Sequence, residues 1–152
     1  MNRSHWFTGL MILALAGLSG CGENLTVEQQ VIVTIREMES KIEAGERRAF
    51  MQHIADDFQA QGGSMNREQL RAFVVFQLNR HQRLQAQLFP IKVSETGEAT
   101  AQATFRALVT GGPNWIPDSG QVFDFTTGWR LVDDEWLLTS ARWDPVPLED
   151  AL

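Results

Sequence analysis

Gly128-Trp129-Arg130-Leu131-Val132-Asp133-Asp134-Glu135-Trp136-Leu137-Leu138 reads as two strands joined by a two-residue turn. Asp133-Asp134 supplies the turn, and the flanking segments alternate apolar with polar side chains at the period of a half-buried strand. Upstream, Phe123, Phe125, Trp129 and Leu131 continue that alternation across 121–132, with Gly128 as a bulge. The return strand runs from Trp136 to Asp144. Ala99, Ala101, Ala103, Phe105, Ala107 and Val109 share one side of the preceding strand, while Thr100, Gln102, Thr104 and Arg106 take the other. Small alanines on the inner side leave room for helices or a ligand. A fourth strand is predicted from Arg83 to Ser94, where Pro90 is tolerable only at an edge or a bulge.

Ahead of the strands the period changes to that of helices. Thr26 with Gln29 three residues on is a capping-box pattern, and Val31, Ile35, Met38 and Ile42 follow at helical spacing. This predicts a first helix over 26–44, stopped at Gly45. Phe50, Ile54 and Phe58 recur at helical intervals and predict a short second helix from Glu46 to about Asp57. Asn66 with Gln69 resembles another cap, opening a third helix over 66–81 that is apolar around most of its surface and therefore expected to be well buried. Three N-terminal helices packed on a strongly bent, mostly antiparallel four-strand sheet is an α+β order.

Ile42-Glu43-Ala44-Gly45-Glu46, then Phe50, then Ile54-Ala55-Asp56-Asp57-Phe58 resembles the opening of nuclear-transport-factor-2-like and SnoaL-like domains, and the final hairpin resembles theirs. The resemblance covers about 26–144, and its motifs are structural, not catalytic. It implies a cone-shaped half-barrel of the cystatin-like kind, with a pocket between helices and sheet, often dimeric through the sheet. In the steroid-isomerase branch a helix-one tyrosine and a pocket acid do the chemistry. Their positions fall at Met38 and Gly62, and the chain contains no tyrosine. Scytalone-dehydratase-like chemistry fails on the same count.

Other chemistry must come from the remaining polar residues. His53 and Asp57, four apart on the predicted second helix, would share a face and let a carboxylate orient an imidazole, the minimum for general-base catalysis. The alternative is that Asp57 braces the turn after that helix. Arg106, Asp124, Arg142 and Asp144 lie on strands, where they would either bind a polar or carboxylate ligand at the mouth of the cone or form cross-strand ion pairs. The long connection 111–120 carries Trp115-Ile116 at its tip, apolar groups that are costly to expose unless covered, so the loop is read as a pocket lid, a partner contact or a membrane-facing foot, or as packing back on its own domain. The histidines His5, His53 and His81 are scattered, so no metal site is expected, and no phosphate loop or Ser-centred nucleophile motif appears. No cofactor is expected.

The N-terminus supplies an address. Arg3 precedes an apolar run over 6–17, too short to span a bilayer, which needs about 20 apolar residues. The run ends in Leu18-Ser19-Gly20-Cys21, which matches the bacterial lipobox and implies cleavage before Cys21 and acylation of the only cysteine in the chain. Residues 1–20 are thus expected to be a lipoprotein signal peptide, 21–25 a lipidated tether, 26–145 the folded domain and 146–152 a tail. A tether this short, at about 3.6 Å per residue, would hold the domain within about 20 Å of the bilayer. Gly22 stands where Asp commonly signals inner-membrane retention, which favours the outer membrane. Removal of residues 1–20 takes away only Arg3, leaving 12 basic against 19 acidic residues, a formal charge of −7. That balance argues against nucleic acid and anionic lipid as partners.

These readings lead to a membrane-anchored, periplasm-facing lipoprotein whose cone binds a small apolar ligand or an envelope protein without catalysis. A homodimer through the sheet is the assembly that the resemblance implies. The rival is a small pocket enzyme, an isomerase, dehydratase or hydrolase, using His53 and Asp57. A third reading has the cone filled by Met38, Phe73, Phe105 and Phe125, leaving only the outer surface to function.

Overall fold

A computed structural model describes residues 24–81, 84–111 and 119–147. Helix α1 (Val27–Glu43) starts at Thr26, whose hydroxyl accepts from the Gln29 amide while the Gln29 side chain accepts from the Thr26 amide. Two of the amides left orphaned at a helix start are thereby satisfied. Gly45, at φ +71°, lets the chain turn out of α1. The short helix α2 (Arg47–Gln52) leads into strand β1 (Ile54–Ala60), a 3-10 turn at Gln61–Gly63 and the two-residue strand β2 (Met65–Asn66). Asn66 then caps helix α3 (Arg67–Arg80) with a second capping box. The remaining strands are β3 (Leu84–Leu88), β4 (Lys92–Gly97), β5 (Thr100–Gly111), β6 (Ser119–Val132) and β7 (Glu135–Val146).

The seven described strands form one sheet in the order β2-β1-β7-β6-β5-β3, with β4 also paired to β5. All pairings are antiparallel except β1 with β7. The hairpin is as the sequence predicts: Asp133 and Asp134 turn at φ +49° and +64°, and the register of β6 against β7 slips at Gly128. A Cβ at Gly128 would meet the Ser140 hydroxyl, which would have to rotate away to admit it. Pro90 also falls where predicted, in a break of the strand that pairs with the outer side of β5.

The second helix differs from expectation. It ends at Gln52, and Ile54–Phe58 belongs to a strand. The register of β1 on β7 shifts between Ile54 and Gln59, so Ile54, Ala55, Phe58 and Ala60 all turn inward. That irregularity gives a strand the i, i+4 apolar spacing of a helix. Helix α3 is also less buried than its composition suggests. Leu70 and Val74 enter the core, whereas Phe73 is 41% and Phe76 58% exposed. The expected four strands become seven because β1 and β2 lie in the stretch read as helix and turn, and the segment around Pro90 is two strands.

The core lies between the helices and the concave face of the sheet. Val31, Ile35 and Met38 of α1 meet Phe58, Ala101, Ala103, Trp129, Trp136 and Leu138. Alanines at 101 and 103 let α1 approach the sheet closely, as their alternation suggested. Trp136 fastens the hairpin to α1 by donating from Nε1 to the Gln30 side-chain oxygen at 2.9 Å.

Candidate functional site

The inner positions of β5, β6 and β7 carry no Asp, Glu, His, Lys or Arg. Nearest the core apex they hold Ala101, Ala103, Trp129 and Leu138, all buried. Thr127 is the one buried polar side chain among the described residues, and it is fully engaged. Its hydroxyl donates to the Ala103 carbonyl at 3.1 Å and accepts from Trp129 Nε1 at 2.9 Å.

Further along the same face the inner side chains become aromatic and only half-buried. Phe105 stacks on Phe125 at 5.1 Å between centroids, nearly parallel at 9°. Phe123 meets Phe125 edge-on at 6.2 Å, and Trp143 lies 6.1 Å from Phe125 and 6.4 Å from Phe73 of α3. Cross-strand register produces this: Phe105, Phe125 and Trp143 are direct partners on three adjacent strands. Trp143 is held from behind by Gln61, whose side-chain amide donates to the Trp143 carbonyl at 3.0 Å and accepts from its amide at 3.4 Å. The sequence offered no signal for that clamp, since Gln61 lies in a turn 82 residues away.

At the rim, His81 follows α3 and its ring lies over the inner side of Gly111. A Cβ at Gly111 would stand 2.7 Å from the imidazole Nδ1 and 2.8 Å from Cγ, so the absent side chain makes room for the ring. The sequence reading treated His81 only as a scattered histidine and missed this contact.

The predicted proton-transfer pair does not assemble as proposed. His53 is the half-buried residue that ends α2, and its carbonyl accepts from the Leu138 amide at 2.8 Å. Asp57 lies on β1, on the outer face of the sheet, where Arg130 reaches across β7 to it with two hydrogen bonds of 2.8 and 3.0 Å. Those bonds hold the Asp57 carboxyl below the usual carboxylate range and raise Arg130 in turn. The shared helical face on which the His53–Asp57 pairing rested is absent, because residue 57 is on a strand.

The charged strand residues form ion pairs on the same outer face. Arg106 grips its cross-strand partner Asp124 at 2.8 and 3.2 Å, and these bonds lower the Asp124 pKa. Arg142 pairs with Asp144 two residues on, at 3.0 Å. Asp124 and Asp144 are themselves register partners, so Arg106, Asp124 and Asp144 make one row across three strands, with Arg142 beside it along β7. Trp115 and Cys21 lie outside the described residues. Among the described residues no group of acidic, His or Cys side chains is arranged to hold a metal, and no helix is long and apolar enough to cross a membrane.

A separate cleft of about 260 Å³ opens beside the end of α1, lined by Glu43, Ala44, Gly45, Arg47, Leu78, Asn79 and Leu84. It is shallow and mostly polar. The aromatic surface lies elsewhere, on the sheet's inner face.

No family model and no curated protein matches the chain. Solved structures do. Bd1075 of Bdellovibrio bacteriovorus is similar at 10% identity and TM-score 0.68 over 79% of this chain, which spans 41% of the length of Bd1075. A proposed scytalone dehydratase from Novosphingobium aromaticivorans is similar at 10% identity and TM-score 0.70, over 78% of this chain and 83% of that one. An NTF2-like protein of unknown function from Pseudomonas putida is similar at 16% identity and TM-score 0.67, over 80% and 89%. Together with the curled sheet, the bulged hairpin and the helices on its concave face, these likenesses show that the chain carries the NTF2-like, cystatin-like α+β fold.

Proposed function

We propose that this protein is a non-catalytic, membrane-anchored lipoprotein facing the periplasm, whose cone binds a small neutral apolar ligand. The observation that carries the binding reading is the half-buried aromatic surface of Phe105, Phe123, Phe125 and Trp143, on strand positions that bear no ionisable group. Apolar contact there is worth about 25 cal/mol per Å² removed from water, and flat rings add stacking. Proton transfer would need an acid or base on that surface. Asp57 and Asp124 instead sit on the outer face, each locked to an arginine. Anchoring rests on the lipobox ending at Cys21.

Native mass spectrometry of the full chain extracted in detergent tests the binding reading. A co-purifying small molecule, or saturable binding of the neutral dye Nile red that Phe125→Ala weakens, is the expected result. Binding that Phe125→Ala leaves unchanged, or none at all, would refute it.

A further inference from the structure

We propose that the free edge of β3 is a latent pairing surface for a second copy of this chain, and that Glu43 and Arg36 of α1 hold it closed. In the described sheet β3 pairs only with β5 and ends the strand order, so its other edge has no strand partner. Backbone groups along an antiparallel strand point alternately to either side. The Phe89 amide, at the end of β3, points to β5 and donates to the Arg106 carbonyl at 2.8 Å. Residues 84, 86 and 88 have the opposite parity and turn their N–H and C=O groups outward. The side chains of α1 reach two of these groups. Glu43 Oε1 accepts from the Ala86 amide at 2.9 Å, and Arg36 Nη2 approaches the Leu88 carbonyl at 3.5 Å. Positions 36 and 43 are seven apart, two turns on one helix face, so both side chains can reach the same edge.

The edge needs such a guard because its own sequence provides none. Leu84-Gln85-Ala86-Gln87-Leu88 contains no charge and no proline, two of the devices that keep an edge strand from recruiting another. Antiparallel pairing of β3 with its own copy would meet no electrostatic repulsion and would satisfy the outward groups on both chains. At the opposite end of the sheet, β2 is only two residues long, which blunts that edge by length. The same α1 carboxylate also borders the polar cleft, so Glu43 is reachable by solvent.

The test compares the full chain in detergent with Glu43→Ala/Arg36→Ala and with Glu43→Gln, by sedimentation velocity over a concentration series. The double variant should self-associate at least about tenfold more tightly than the parent. Glu43→Gln keeps an acceptor oxygen and should behave as the parent. Adding Gln87→Lys to the double variant puts a like charge on each copy's edge and should reverse the association. Unchanged sedimentation of the double variant, or association that Gln87→Lys leaves intact, overturns the proposal. Should the double variant fail to fold, amide exchange in the parent decides: Ala86 N–H should exchange on the order of tenfold more slowly than the uncapped Leu84 N–H. Equal exchange of the two overturns it.

Discussion

Replacing Gly111 by alanine probes how tightly the rim of the cone is built. The added Cβ would stand 2.7 Å from His81 Nδ1, 2.8 Å from Cγ and 3.3 Å from Cβ, whereas ordinary contact begins at 3.4 Å. The ring must therefore retreat by 3.4 minus 2.7, about 0.7 Å, and because its root atoms are also crowded it cannot do so by rotating its tip. Overpacking of this kind costs about 1–3 kcal/mol. Against that, alanine restricts the unfolded chain and returns about 0.4–1 kcal/mol where the backbone is compatible. Gly111 has no positive φ, so that return applies. The clash wins, and the net loss is about 1–2 kcal/mol. For a domain of this size that lowers Tm by roughly 4–8 °C, read by far-UV circular dichroism. His81→Ala removes the obstructing ring, so in the double variant the glycine replacement should become neutral or stabilising, a coupling of about 1–2 kcal/mol in a urea cycle. A Gly111→Ala midpoint within about 0.5 kcal/mol of the parent, or strictly additive single changes, would refute the reasoning.

Other expectations follow from the polar contacts and the aromatic surface. Thr127→Val keeps the shape but strands the buried Trp129 indole N–H, and should lower urea stability by about 1–3 kcal/mol. Asp57 and Asp124 are held below the ordinary carboxylate value, so their contribution is present above about pH 4 and is lost as pH falls through the lowered values. Asp57→Asn/Asp124→Asn should therefore lose less stability than the parent between pH 6 and pH 2. The effect at neutral pH should be small, because solvent screens exposed ion pairs; an equal acid dependence would contradict the assignment. Cys21→Ser should abolish incorporation of radioactive palmitate and release the domain from membranes, and unchanged fractionation would defeat the lipobox argument.

Much of the fold was legible because it is written in local periodicity. The two capping boxes at Thr26 and Asn66, the period-two alternation of β5 to β7, the bulge at Gly128 and the Asp133-Asp134 turn each depend on neighbours a few residues apart. The second helix failed for the converse reason. A strand with an irregular register shows inward residues at helical spacing, and only its pairing with β7, some 80 residues later, tells the two apart.

The candidate site divides the same way. Alternation by itself determined that Phe105 and Phe125 face one side and Arg106 and Asp124 the other, since adjacent strand residues must point oppositely. The lipobox pattern at Cys21, on which the proposed anchoring rests, is equally read from the sequence alone. Only the tertiary structure decided that Phe105, Phe125 and Trp143 meet in one row, that Gln61 braces it, and that Asp57 faces outward to Arg130 and not inward to a pocket. Those outcomes depend on register between strands distant in the chain, and register is fixed by the packing of the whole sheet, which no local pattern encodes.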